Sequence, residues 1–406
     1  MKSIIQETLG LKAHRVVEWY GNPQGIMIEL VNIPGRRLRC SRCGRKARGR
    51  DRLNYRYWRH VPLWGIPVSL IYRPCRVACS HCGIKVEAIP WANGKSCLSL
   101  PLLVVLATWT KLLAWQVVAR LFHVSWSTVR AAVQAAVAYG LAHRDLDGLA
   151  IIGVDEISRR KGQVYHTQVY DLSQKRLLWS GDGRDADALR RFFRELGPER
   201  CAGIQGVCCD MWAQYVEVIR EMLPNATLVF DKFHIIRHLL EAVNTVRKQE
   251  AAELKKTQPD LLTDTRYIFL KNPENLTDPQ RVRLSFLERL NLKINRASLL
   301  KELFKQGWTY RCRGWAKRFL DRWFWWATHS RLTPIRKFAW MLRNHEEGIL
   351  AWFDIPLTNG ATEAMNNNAK AVSHRSRGFR KHKTFSLALL HVLGGLELPS
   401  LPHAFV

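Results

Sequence analysis

The chain has 406 residues, with 63 Lys or Arg against 34 Asp or Glu, a net charge of +29 and a pI near 10.1. A hydrophobic fraction of 47% can supply the cores of two or three domains and excludes a disordered chain. The charge excess is the footprint of a polyanion binder, nucleic acid first, and the longest apolar run, residues 98–109, is broken by Pro101 and cannot span a bilayer.

The opening "MKSIIQETLGLKAHRVVEWYG" carries charges throughout and lacks the apolar core of a secretory signal. The expectation is a cytoplasmic protein, with no membrane partner and with its ten cysteines reduced. Short alternating segments ("HRVVEWYG", "GIMIELVNI", "VSLIYRP") predict strands in residues 1–92. They are interrupted by two C-x-x-C knuckles, Cys40/Cys43 and Cys79/Cys82, each followed by glycine. Two residues between cysteines let both sulfurs face one ion, and the glycine permits the tight turn, so the four thiolates predict a structural zinc site with no open position. Cys75 is a less well spaced substitute, and Cys208 and Cys209 read as core residues. Between residues 34 and 60 stand eleven Arg or Lys and one Asp, which makes this β module face nucleic acid.

Residues 93–147 turn helical. "AWQVVARLFHVSWSTVRAAVQAAV" reads as a helix, a turn at His123 and Val124, Ser125 as N-cap and a second helix, the form of a helix-turn-helix. Ser127, Thr128 and Arg130, near the start of the second helix, are placed to reach phosphates or base edges. "NGKS" at residues 93–96 is no phosphate loop, since Ile89 stands where that motif needs glycine.

Residues 148–231 predict three strands in a meander, then helix, strand, helix and strand, a mixed α/β sheet. In a basic chain the carboxylates are informative. Asp155 in "IIGVDE" and Asp210 in "IQGVCCD" each leave an apolar strand at its C-terminal lip, where ligands bind in open α/β sheets. Side by side they repel unless a cation lies between them, and oxygen ligands suit Mg²⁺ or Mn²⁺. Asp231, ending the last strand, is a rival to Asp210. Residues 232–347 show no strand signal and form an all-α insertion with clustered Trp and Arg ("GWAKRFLDRWFWWATHSRL"). In residues 348–406, "TNGATEAMNNNAKAVSHRSRGFRKHK" opens a helix whose one acid, Glu363, is favoured by the helix dipole and is the candidate third ligand; a plain N-terminal helix charge is the alternative. Three carboxylates would hold two ions about 3.5–4 Å apart for phosphodiester chemistry.

Together "GVDEIS", "CCDMW", "PNATLVFDKFH", the helical insertion and "LTNGATEAMNNNAKAVSHRSRGFR" resemble the DDE transposases of bacterial insertion sequences, specifically the ISL family, which also begins with a zinc ribbon and a helix-turn-helix. The resemblance implies an RNase H-like core with Asp155, Asp210 and Glu363 as a triad holding two Mg²⁺ or Mn²⁺ ions. It implies cleavage at the terminal inverted repeats and joining of the freed 3′-hydroxyl to target DNA by a nucleoid-associated dimer or larger assembly on duplex DNA. Lys370, His374, Arg375 and Arg377 would grip the DNA beside the triad. The alternatives are a DNA-binding regulator derived from a transposase, which would bind without cutting, and an RNase H-like nuclease or resolvase, which would not join a pre-cut end.

Overall fold

Period-2 alternation in the first ninety residues becomes eight short strands in the computed structural model of the chain. The structure describes residues 5–7, 9, 11–92, 94–160, 164–355, 357, 360–376 and 379–401. They pack as two units of mixed α/β structure, residues 1–145 with 369–406, and residues 146–368.

In the first unit, β1 (His14–Asn22), β2 (Gly25–Asn32), β5 (Arg56–Leu63) and β6 (Ile66–Tyr72) make a sheet in the order β1-β2-β6-β5. The β2–β6 pair is parallel and its neighbours antiparallel. Inward-facing Val16, Ile28, Leu30, Trp58 and Leu70 close on Trp91. A second sheet, β3 (Leu38–Arg39), β4 (Lys46–Arg52), β7 (Cys75–Cys79) and β8 (Gly83–Val86), is antiparallel throughout. Its core is only Leu38, Ala47, Val77 and cysteines, too little apolar area to hold so small a sheet without a staple.

Three helices follow. In α1 (Leu100–Leu112) Ser99 accepts the N–H of Leu102 and Pro101 occupies the first turn, where its missing N–H costs nothing. Next, α2 (Trp115–Leu121) and α3 (Trp126–His143) are joined at His123, whose φ of 50° turns the chain sharply. Ser125 caps α3 by accepting the N–H of Thr128 at 3.1 Å. The C-terminal helix α15 (His382–Leu393) belongs to this unit. Its buried His391 lies 2.7 Å from the Ala107 carbonyl oxygen and 3.1 Å from the Thr110 hydroxyl. Burial lowers its pKa to about 4, which keeps the imidazole neutral.

The second unit is built on a five-stranded sheet. A meander of β9 (Ile151–Arg160), β10 (Val164–Asp171) and β11 (Arg176–Asp182) leads through α4 (Ala186–Leu196) and α5 (Pro198–Ala202) to β12 (Gly206–Cys209). From there α6 (Ala213–Met222) leads to β13 (Thr227–Phe230). The order is β11-β10-β9-β12-β13, with β12 parallel to β9 and β13 parallel to β12. All four residues of β12 are buried, as a central strand covered on both faces requires.

Among the described residues no strand falls between 232 and 347. Instead α7 (Lys232–Leu254), α8 (Arg266–Leu270), α9 (Asp278–Glu288), α10 (Lys293–Gln306), α11 (Arg313–His329) and α12 (Thr333–Arg343) form a helical array. This array is no separate lobe. Ile152, Val207 and Phe230 of the sheet share one continuous core with Ile235 and Leu239 of α7 and, through them, with Phe304, Trp323 and Ile335. The chain returns to the sheet through α13 (Glu346–Leu350) and enters α14 (Gly360–Arg375), and the boundary between the two units falls within α14, after Asn368.

The return is tight at Gly348. A Cβ there would meet the Phe230 ring at 2.4 Å and the Leu228 carbonyl oxygen at 3.3 Å. Replacing a helical glycine by alanine gains up to about 1 kcal/mol of propensity, but overpacking a buried site costs roughly 1–3 kcal/mol. The packing term should win, so Gly348→Ala should lower stability by about 1–2 kcal/mol in denaturant titration.

Candidate active site and metal centre

The cysteine knuckles converge as a group that could hold a metal ion. One ligand atom from each of Cys40, Cys43, Cys79 and Cys82 lies within 4.8 Å of all the others, and the Cys43 and Cys79 sulfurs are 3.6 Å apart. Tetrahedral zinc with Zn–S bonds of about 2.3 Å places its sulfurs roughly 3.8 Å from one another, so the set fits. Local geometry produces it. Gly44 and Gly83 have φ of +69° and +71°, a region that a side chain strains, and each turns the chain directly after a ligand pair. The Gly44 N–H donates to the Cys40 carbonyl at 2.9 Å and the Arg42 N–H points at the Cys40 sulfur at 3.4 Å. N–H groups of His81 and Cys82 aimed at the Cys79 sulfur lower that thiol's pKa to about 7, favouring the thiolate a metal needs. Cys75 lies outside the set; its buried thiol points to the Arg76 carbonyl.

The carboxylates are aligned by strand register. In the parallel β9–β12 pair, Gly206 sits opposite Ile151 and Cys208 opposite Gly153, so two residues further on Asp210, just past the end of β12, comes level with Asp155. Asp155 does not end its strand as the sequence suggested: antiparallel pairing with β10 carries β9 on to Arg160, so Asp155 sits mid-strand at the level where β12 stops. Parallel strands lie about 4.8 Å apart. Cys209 pairs with Phe230 in β13, and the Asp231 N–H donates to the Cys209 carbonyl at 3.0 Å, so Asp231 is level with Asp210 on the other side.

The three aspartates differ in what already holds them. Asp231 is buried; it caps α7 by accepting the Phe233 N–H at 2.9 Å, and its other oxygen is 2.5 Å from Nδ1 of His234. Asp210 is half-buried, accepts the Met211 N–H at 2.7 Å and has the Arg237 guanidinium at 3.9 Å. Asp155 accepts the Glu156 N–H at 2.7 Å with one oxygen and the side-chain amide of Asn366 with the other. Burial raises the pKa of Asp155, and the Asp231 charge adds to it, against the Glu156 N–H, His234 and Asn366. For His234, burial opposes charge, but the hydrogen bond to Asp231 and the charges of Asp210, Asp231 and Asp155 outweigh it and raise its pKa. A divalent cation suits this group of neighbouring carboxylates, where burial and the Asp231 charge both disfavour a bare negative charge on Asp155.

Glu363 is exposed in the first turn of α14. Among the described residues Asp155, Asp210 and Glu363 do not form a second group as closely converged as the four cysteines. What links α14 to the sheet is Asn366, one turn after Glu363, whose amide oxygen also accepts the buried Tyr170 hydroxyl at 2.6 Å. The sequence pattern singles out Glu363 and Lys370 on this Asn-rich helix and does not single out Asn366. Only burial separates the three consecutive asparagines: Asn366 is buried, Asn367 and Asn368 exposed.

The residues expected to touch DNA fall in different settings. Ser127 and Thr128 turn their hydroxyls back to Ser125, at 2.7 and 2.8 Å, on an exposed helix start. Arg130 and Arg375 line one pocket of about 670 Å³ with Arg120, Trp126, Arg380 and Lys381. Arg375 is engaged there: its Nη1 donates to the Lys111 and Leu112 carbonyls, both at 2.8 Å, closing the C-terminus of α1. Lys370 and His374 are exposed on α14, and Arg377 lies outside the described residues.

Two outcomes follow from these contacts. Cys79→Ser should bind well under one zinc per chain, against one for the parent, in a chelator-release titration of the folded protein. The raised pKa of His234 means its charged form is held by the fold, so its contribution is full below the unfolded value near 6.5 and fades as pH rises through the folded pKa. The stability gap between the parent and His234→Gln, measured by denaturant titration across pH 5–9, should therefore narrow as pH rises.

Known proteins agree with these motifs. A family model for ISL3-type DDE proteins, described as Transposase, matches residues 152–389, more than half of the chain. The transposase for insertion sequence element IS1001 of Bordetella parapertussis is 28% identical over 377 residues, 92% of this chain and 93% of that protein. The transposase for insertion sequence element IS1557 of Mycobacterium tuberculosis is 30% identical over 392 residues, 90% of this chain and 87% of that protein. With its level aspartates on neighbouring strands and its Glu/Asn helix inside the matched region, the chain belongs to the ISL3 family of insertion-sequence transposases.

Proposed function

We propose that this transposase cuts DNA at the terminal inverted repeats of its element and joins the freed 3′-hydroxyl to target DNA, on an RNase H-like core with Asp155, Asp210 and Glu363 as the metal-holding carboxylates. The observation that carries the reading is the register of β9 and β12, which sets Asp155 and Asp210 level on adjacent parallel strands, with Asn366 tying the Glu363 helix to Asp155. Asp155, Asp210 and Glu363 would hold two Mg²⁺ or Mn²⁺ ions, which would supply Lewis acidity and charge neutralisation for displacement at phosphorus.

The chain's own side chains divide the remaining work. Asp210 is favoured over Asp231 as the second ligand because Asp231 is already spent on the α7 cap and on His234. Asn366 holds one oxygen of Asp155 in place and leaves the carboxylate's remaining lone pairs for a cation. Glu363, one turn earlier at a helix start, meets the lip when the helix is so anchored. The zinc-holding β module and the helix-turn-helix recognise the repeats, with Arg130 and its pocket, Lys370 and His374 on phosphates and Arg377 beside them. The partner is duplex DNA bound by at least two protomers, one for each element end.

Asp155→Asn, Asp210→Asn and Glu363→Gln should each lower cleavage of repeat DNA and joining of a pre-cut end by about 10²–10³-fold or more, while gel-shift binding to the repeats is kept. Asn366→Ala should cost about 10–100-fold. Asp231→Asn should cut at near the parent rate and, because asparagine caps a helix as well as aspartate does, should lose stability through the charge pair with His234 and not through the α7 cap. An Asp210→Asn protein that cuts normally beside an inactive Asp231→Asn would reverse the assignment.

A further inference from the structure

The tryptophans of the helical insertion have no part in the chemistry above. On α11 the inward face is Ala316, Leu320, Trp323, Phe324 and Ala327, and Trp323 is fully buried with its indole N–H donating to the Leu300 carbonyl at 2.9 Å. The outward face carries three more tryptophans without cover, set among arginines. Trp315, Arg318, Arg322, Trp325, Trp326 and His329 recur every three or four residues and so form one stripe. Trp315 and Trp325 are 59% and 61% exposed, which leaves most of each ring in water.

Cations accompany the rings. The Arg318 guanidinium lies 5.0 Å from the Trp315 ring centre, and His329 stacks on Trp325 at 4.6 Å. The exposed residues of α12 repeat the arrangement: Trp340, 51% exposed, stands between Arg336 and Arg343, with Arg343 5.7 Å from its ring. The nearby acids are held elsewhere. Lys317 takes Asp321 and Glu346, and Arg313 takes Glu347 and Asp354. Among the described residues no acidic side chain pairs with Arg318, Arg322, Arg336 or Arg343.

Three exposed indoles on one helix cost free energy in water unless something covers them. The cover must be anionic, to meet four unpaired guanidiniums, and must present flat apolar faces, to meet the rings. A second copy of this +29 chain brings like charge to the stripe. Duplex DNA brings phosphates but hides its base faces by stacking. DNA with unstacked bases brings both. We propose that the Trp/Arg stripes of α11 and α12 bind single-stranded or locally unpaired DNA, with indoles stacking on bases and arginines on phosphates. The inference rests on DNA being the substrate and gives the helical insertion the role of holding unpaired strand.

The test uses the full chain and a labelled oligothymidine beside a duplex of the same length, read by fluorescence anisotropy. The triple variant Trp315→Ala, Trp325→Ala, Trp326→Ala should bind oligothymidine at least tenfold more weakly and the duplex within about twofold of the parent. The same positions changed to Phe should recover most of the loss. Changing Arg318 and Arg322 to Gln should lower the slope of log K against log salt by about 1–2 on oligothymidine. Parent-like binding of oligothymidine by the triple alanine variant overturns the proposal. So does an equal loss on both DNAs, or unchanged DNA binding with a smaller sedimenting species, which would make the stripe a face between two copies. Failure of the parent to cut repeat DNA in Mg²⁺ would count against the catalytic reading and leave the single-strand comparison readable.

Discussion

The parallel register between β9 and β12 is the constraint on which the catalytic half depends. It brings Asp210, just past the end of β12, level with Asp155 on the neighbouring strand, where burial already disfavours charge on Asp155. Much of what surrounds them offsets that cost. Backbone N–H groups of Glu156 and Met211, the Asn366 amide, and a His234 whose charged form Asp231 favours all bring positive potential to these aspartates. The meander, the two crossovers and α14 serve to deliver these donors. The shared core beneath explains why so large a helical array can interrupt the chain without loosening the lip: α7 starts at the Asp231 cap and packs on the sheet itself.

Much of this was legible in the sequence where a local pattern carries it. Apolar runs ending in aspartate marked the ends of β12 and β13 and the start of β9, which runs on past Asp155 to Arg160; matched knuckles marked the cysteine cluster, and Ser125 marked the start of α3. Long-range pairings were not legible. No local pattern tells Asn366 from Asn367, because the difference is made by Tyr170 and Asp155, 196 and 211 residues away. Arg375 reads as one more cation on a basic helix, yet it closes the end of α1. Asp231 and Asp210 look alike as strand-end residues, and only the helix that begins at Asp231, with His234 on its first turn, shows that one is occupied.

The basic charge is likewise partitioned. Around Arg313 and Lys317 it is consumed by local acids, at Arg375 by helix carbonyls, and along α11 and α12 it stands unpaired beside exposed rings. A net charge of +29 read from composition therefore overstates what is available to a polyanion, and the available share is concentrated on particular helix faces.

The Asn366–Asp155 hydrogen bond also sets a clock. Its partners are 211 residues apart, and at a synthesis rate of roughly 5–20 residues per second Asp155 leaves the ribosome about 10–40 s before Asn366 exists. During that interval the sheet can pair β9 with β12, but its acidic lip lacks the amide and the Glu363 turn. A nascent chain therefore carries Asp155 and Asp210 for some tens of seconds without the amide that holds one of them in place.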